Sequence, residues 1–247
     1  MDTKKDLNLS QCESDDNYSD DAEDKKIVDD LDFEDLEASM PKKKSLSPSD
    51  QALLKRWKEL TKYGKVIPGT KILPMKTPLQ RNKWNDNLDE SEQFLLPDLV
   101  QNFEHEGKKI GVIIDLNYSN GGYYSWDYTY KKNKEALYNV EYKKIKYGKH
   151  GELPDKKSIN AAYDAINKAY FKDHIIAVHC THGINRSGYA IVHFLCQRLK
   201  WKVSAAIKKF EEARGYAIEK KEFVQDLKDK FEDDEDVFEG RGPYGNQ

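Results

Sequence analysis

Cysteine is scarce in this chain of 247 residues: only Cys12, Cys180 and Cys196 occur. An odd set scattered so widely excludes a disulfide framework and the paired spacing of a zinc site, and it points to a reducing compartment. Long apolar runs are missing too. None approaches the roughly 20 residues that cross a bilayer, and the first residues are acidic and polar, so neither a membrane helix nor a secretory leader is expected. No internal repeat is visible.

Charge is present in quantity but unevenly placed. Residues 1–40 carry 15 Asp and Glu against 4 Lys, and residues 232–247 carry 6 against Arg241. Removing those net charges of −11 and −5 from the total of −3 leaves about +13 on residues 41–231. A basic body between acidic arms suits a polyanionic ligand, although a solvated lysine-rich surface has the same composition. The expected organisation is a disordered acidic arm over residues 1–48, a folded domain over residues 49–231 and a disordered acidic tail over residues 232–247. Within the first arm, Ile27, Leu31, Phe33, Leu36 and Met40 are interleaved with acids, which fits either plain tail or a segment that docks on a partner. Three lysines at 42–44 make a short basic run of the kind read as a nuclear address, so the nucleus is the expected compartment, with the cytoplasm as the other.

Order is expected from residue 49, with Asp50 as N-cap of a short helix carrying Leu53, Leu54 and Trp57. Residues 70–76 read as an extended piece broken by Pro74, and residues 92–105 as a helix on the spacing of Phe94, Leu95, Leu99, Val100 and Phe103. The continuous apolar runs at 110–116 and 175–179 read as buried strands, and 140–146 as an alternating strand. Helices are expected over 156–170, 188–200 and 204–214, and around Phe223, Leu227 and Phe231. Alternating strands and helices predict an α/β sandwich, with a central mixed, mostly parallel sheet flanked by helices.

The chemistry concentrates in VHCTHGINRSGY, residues 178–189. A strand ending at His179, a glycine-bearing loop and a helix starting near Arg186 place Cys180 beneath a helix N-terminus. Backbone N–H groups from Thr181, His182, Gly183, Ile184 and Asn185 to Arg186 would then cradle a tetrahedral oxyanion. The same field lowers a thiol pKa, making Cys180 a nucleophile for phosphorus. Gly183 would keep a Cβ clear of the phosphate, and Arg186 offers a planar fork for two phosphate oxygens. Ser187 would donate to the sulfur as it leaves. His179 reads either as a support of the loop or as a core histidine. Cys196 reads as core, and Cys12 carries no role.

These residues resemble the cysteine-phosphatase superfamily and, within it, the RNA 5′-triphosphatase branch, whose loop HCTHGINRSG is very similar to. That branch includes the triphosphatase domains of animal mRNA capping enzymes, a baculovirus RNA phosphatase and the dual-specificity-like phosphatase associated with RNA–ribonucleoprotein complexes. The likeness extends in order through residues 56–79, the strand GVIIDL before Tyr123 and Tyr124, the turn KHGELPD at 149–155, and ARGYAIEKKEFVQDL at 213–227. It implies a dual-specificity-phosphatase-like fold over about residues 55–231 and a cleft position for Asp115, which otherwise reads as a strand-end turn residue. The branch usually carries Arg before the aromatic pair, where Gly122 stands here, with Lys131 and Lys132 as possible replacements.

Choice of substrate turns on a general acid. Protein phosphatases of the superfamily carry an Asp about 30 residues before the cysteine by family resemblance, because a phenolate of pKa about 10 is a poor leaving group. The corresponding YGKH, residues 147–150, holds no carboxylate, and Asp155 reads better as a helix N-cap than as an acid. A departing diphosphate is already a stable anion, so RNA 5′-polyphosphate hydrolysis is the expected reaction, at the γ-phosphate alone or at the γ and β in turn. A dual-specificity protein phosphatase is the alternative, and an adaptor that merely holds phosphate a third. His182, Asn185, Tyr123, Tyr124 and Trp126 are candidates for loop support, RNA contact or plain packing. No metal or other cofactor is expected. The expected partners are the RNA 5′ end, a protein for the acidic arms and, if the chain serves capping, a guanylyltransferase on a separate chain.

Overall fold

The computed structural model describes residues 46–79, 84, 87–119, 122–149 and 151–231. Residues 1–45 of the expected acidic arm, with Cys12 and the basic run at 42–44, and the acidic tail beyond residue 231 lie outside the described residues.

Helix α1 (Pro48–Lys58) begins three residues earlier than expected. Ser47 is its cap, its Oγ accepting from Asp50 N at 3.1 Å, and Pro48 opens the first turn, where a missing N–H costs nothing. Asp50 therefore sits inside the helix. Strand β1 (Ile72–Met75) contains Pro74 without breaking, because β1 lies at the sheet edge, where a ladder donor can be absent. The expected helix over 92–105 divides. A 3-10 turn spans Glu90–Glu92, and α2 runs Leu96–His105 with Pro97 in its first turn. Proline biases the preceding chain away from helix, so Phe94 and Leu95 stay extended although their spacing is helical.

Strand β2 (Ile110–Asp115) is buried along its whole length. Two short helices absent from the sequence reading follow, α3 (Trp126–Lys132) and α4 (Lys134–Leu137), and then the half-buried edge strand β3 (Glu141–Lys144). The remaining elements, α5 (Lys156–Tyr170), β4 (Ile175–His179), α6 (Asn185–Leu199), α7 (Val203–Arg214) and α8 (Lys221–Lys230), lie close to the expected bounds.

The four strands are all parallel, in the order β1-β4-β2-β3. Period-two alternation sends Ile72, Val112, Ile114, Ile176 and Val178 to one face, against α5, α6, α7 and α8. Leu73, Met75, Ile113, Ile175 and Ala177 go to the other, against α1, α2 and α4. Each of these side chains except Ala177 contributes roughly 1.5–3 kcal/mol when fully buried, which both helical layers make possible. The carboxyl end of β4 emerges between β1 and β2, the kind of crevice where α/β sheets bind ligands.

Candidate active site

Cys180 is the first residue beyond β4 and is almost fully buried, 3% exposed. Its sulfur lies 3.5 Å from Ser187 Oγ on the first turn of α6. Ile184 caps that helix without a side-chain acceptor, so its first N–H groups are left to an anion or to the sulfur. Burial alone would push the Cys180 thiol up. The Arg186 charge, the Ser187 hydroxyl and the backbone N–H groups of Ser187 and Ile184 outweigh it and bring the pKa below its ordinary value.

The loop takes its shape from residues around it. Gly183 has φ +71, and a Cβ there would stand 2.1 Å from the carbonyl oxygen of Met75. The missing side chain thus makes room for the β1 backbone, a reason different from the phosphate clearance expected from sequence. Thr77 N donates to Thr181 O at 3.1 Å, tying the loop to the exit of β1. Asn185 Oδ1 accepts from Glu219 N at 2.9 Å and Lys220 N at 3.0 Å, so Asn185 faces the chain before α8. Ile184 is fully buried, and His182 is half-buried.

Arg186 is 8% exposed and held from two sides. One terminal nitrogen donates to Leu116 O at 3.3 Å and the other to Thr181 Oγ1 at 2.9 Å. Thr181 Oγ1 in turn donates to Asn117 Oδ1 at 2.9 Å and lies 3.2 Å from the Tyr123 hydroxyl. Asn117 Nδ2 reaches Thr77 Oγ1 at 3.4 Å. Thr77, Asn117 and Thr181 therefore fix the guanidinium beside the sulfur, and the first two were not singled out in the sequence.

Asp115 lies level with His179 in the β2–β4 register, beneath the loop, 4% exposed. Its Oδ1 accepts from Asn117 N at 2.8 Å, and its Oδ2 accepts from the Tyr142 hydroxyl at 2.8 Å and Lys144 Nζ at 2.9 Å. Burial opposes its ionisation, but His179, Lys144 and the Asn117 N–H outweigh that and hold the carboxyl below the usual range. His179 is fully buried, and burial pushes its pKa down; its Nδ1 is 3.8 Å from Asp115 Oδ1 and its Nε2 is 2.9 Å from the Tyr124 hydroxyl. Trp126 stacks on Tyr142 at 4.9 Å between ring centroids. Tyr123, Tyr124 and Trp126 are thus engaged in the wall of the site. Asp155 caps α5, its Oδ1 accepting from Ser158 N at 2.6 Å.

Two buried cations went unnoticed in the sequence. Arg214, 1% exposed at the end of α7, donates to the carbonyls of Gly183 and His182, both at 3.0 Å, and to Thr61. Lys76, 3% exposed, donates to Trp57 O at 2.9 Å and Leu60 O at 2.7 Å and lies 3.3 Å from the centre of the Trp57 ring. Their only signal was membership in the segments that carry the family likeness. Among the described residues no group of three or more His, Cys, Asp or Glu side chains is placed to hold a metal ion, and no helix is long and apolar enough to cross a membrane.

Residues 94–233 match the family described as "Dual specificity phosphatase, catalytic domain". The chain is 32% identical over 177 residues to the probable tyrosine-protein phosphatase pir-2 of Caenorhabditis elegans, an alignment covering 70% of this chain and 47% of that protein. It is also 32% identical over 177 residues to the RNA/RNP complex-1-interacting phosphatase of Bos taurus, covering 70% of this chain and 50% of the relative. With the mRNA-capping enzyme of Danio rerio it shares 31% identity over 187 residues, 74% of this chain and 29% of that enzyme. The chain spans about half the length of the first two relatives. With a family match over residues 94–233, which hold the Cys180 loop, strands β2, β3 and β4 and helices α2 to α8, the chain belongs to the dual specificity phosphatase family of cysteine phosphatases.

Proposed function

We propose that the chain is an RNA 5′-polyphosphatase that hydrolyses the γ-phosphate of triphosphate-ended RNA, with the β-phosphate as a second candidate for the same site. The Cys180 thiolate attacks the γ-phosphorus, the bond to the bridging oxygen breaks, and diphosphate-ended RNA departs. Arg186 and the loop N–H groups carry the charge that spreads over the equatorial oxygens. Water then attacks the phosphocysteine, phosphate leaves, and Ser187 donates to the sulfur as its anion is restored.

The observation that supports this reading most is the engagement of the two carboxylates the sequence raised as candidates. Asp115 is held under the loop by Asn117, Tyr142 and Lys144, and Asp155 caps a helix. A diphosphate leaves without a proton donor, whereas a serine or tyrosine oxygen needs one. The names of the relatives that interact with RNA or cap mRNA agree with it. The family description favours the second reading, a dual-specificity protein phosphatase.

Phosphate release from γ-labelled triphosphate RNA and from a phosphotyrosine peptide separates the two. The first reading expects RNA to be the better substrate by orders of magnitude in kcat/KM; equal or reversed preference overturns it. Thin-layer separation of products from γ- and β-labelled RNA reads where hydrolysis stops. The same proposal gives the protein a nuclear location and, if it serves capping, a guanylyltransferase as partner, tested by imaging the tagged protein and by co-purification.

A further inference from the structure

A cavity of about 320 Å³, at the lower end of the size range of small-molecule sites, includes in its lining a residue that bonds His179 and one that adjoins Thr77. One wall is Tyr124, Tyr128 and Thr129 of the α3 region, and the other is Pro78, Leu96 and Pro97, with Asp98 and Lys132 at the rim. Two of these residues lead directly to the site. The Tyr124 hydroxyl is 2.9 Å from Nε2 of His179, the residue before Cys180. Pro78 follows Thr77, whose N–H donates to the catalytic loop at Thr181 O.

From this juxtaposition we propose that the cavity is the subsite for the 5′-terminal nucleoside of the substrate, taking its base between the two walls. The inference rests on the reading of the Cys180 loop as a polyphosphate site. A nucleobase has apolar faces and an edge that carries both donors and acceptors. The cavity matches both properties. Tyr124, Tyr128, Pro78 and Leu96 offer flat or apolar surface, and Asp98, Thr129 and Asn133 offer acceptors and donors around it. Lys132, with its ammonium 4.7 Å from the centre of the Tyr128 ring, adds a cation that suits a phosphodiester. Stacking on aromatic side chains is tolerant of base identity, so purines and pyrimidines are both accepted, the purines more tightly.

The test compares GTP, UTP and inorganic tripolyphosphate binding to full-length Cys180→Ser protein by calorimetry, with and without Thr129→Trp, which fills the cavity. The nucleotides bind roughly tenfold or more tightly than tripolyphosphate, and Thr129→Trp abolishes that advantage while leaving tripolyphosphate affinity unchanged. Asp98→Trp, at an exposed position on the rim, gives the same result independently of any folding defect at Thr129. Equal affinity for nucleotides and tripolyphosphate, or an advantage that survives both tryptophans, overturns the subsite. Apolar peptides that bind the parent but neither tryptophan variant, with no nucleotide advantage, would give the cavity to a protein partner and overturn it too. Failure of the Cys180 protein to release phosphate from any of the three ligands would count against the reaction, while the binding comparison still decides the subsite.

Discussion

Arg214 donates to the carbonyl oxygen of Gly183 at 3.0 Å from a helix 31 residues further along the chain. It grips the His182 carbonyl as well, so the loop's C=O groups are turned outward and its N–H groups are free to face the phosphate. Arg214→Met leaves those carbonyls and Thr61 without their donor. Each lost bond to a charged group costs roughly 1.5–3 kcal/mol, so chemical denaturation should show a loss of several kcal/mol. A loop displaced by as little as about 1 Å is expected to cut kcat/KM by about 100-fold. Arg214→Lys keeps the charge without the fork and should recover only part of either quantity. An unchanged kcat/KM in Arg214→Met would separate this arginine from loop geometry.

The strands and most helices could be read from sequence because burial leaves a periodic trace. Residues 110–114 and 175–178 are apolar and buried throughout, and α5 shows one apolar face. Pro97 overrode the helical spacing of Phe94 and Leu95, a local restriction beating a pattern. Helices α3 and α4 bury only Tyr128 and Leu137, too little to mark a period. At the site, Cys180, Arg186 and Ser187 were visible because their chemistry is tied to spacing. Arg214, Lys76 and Asn117 were not, since a buried polar side chain is defined by partners far away in sequence.

The acid limb of Cys180 reactivity should lie below the ordinary thiol pKa of about 8.5. Burial works against the thiolate, and Arg186, Ser187 and two backbone N–H groups more than compensate. Because the folded pKa is depressed, the thiolate stabilises the fold at pH above the unfolded value, and this is lost as pH falls through the folded one. Iodoacetate alkylation followed against pH measures the limb directly. Ser187→Ala should move it upward, and Arg186→Met further. A limb coincident with that of a free thiol would remove the basis for nucleophilic attack at neutral pH.

Lys76 gives stability a pH slope of the same sign for the opposite reason, because here burial disfavours the charged form. Burial, aided by the Arg214 charge, pushes its pKa down to about 7. Between that value and the ordinary lysine pKa of about 10.4 the unfolded chain binds more protons than the folded one. Stability should therefore rise with pH across this window through Lys76, with a slope approaching 1.4 kcal/mol per pH unit. Lys76→Met retains bulk over Trp57 but removes the slope. Urea denaturation at pH 6.5, 8 and 9.5 checks it. Parallel pH curves for parent and variant would show that Lys76 stays charged in the fold.

Asp115 offers the sharpest separation between direct proton transfer and loop positioning. It reaches the site only through Asn117, which bonds Thr181 beside Arg186, and through His179 next to Cys180. Asp115→Asn keeps an acceptor for the Asn117 N–H but weakens the bonds to Tyr142 and Lys144. Activity should fall by about tenfold to 100-fold by the same factor on triphosphate-ended RNA and on aryl phosphates, whatever the leaving-group pKa. A general acid behaves otherwise: its loss is felt most where the leaving oxygen is most basic. The carboxyl is held below its usual range, so it stabilises the fold above the ordinary carboxylate pKa of about 3.9, and that stabilisation disappears as pH drops through the folded value. Asp115→Asn should accordingly flatten the acid edge of the unfolding curve. A rate loss that grows with leaving-group pKa would make Asp115 the proton donor and would reopen phosphotyrosine as the substrate.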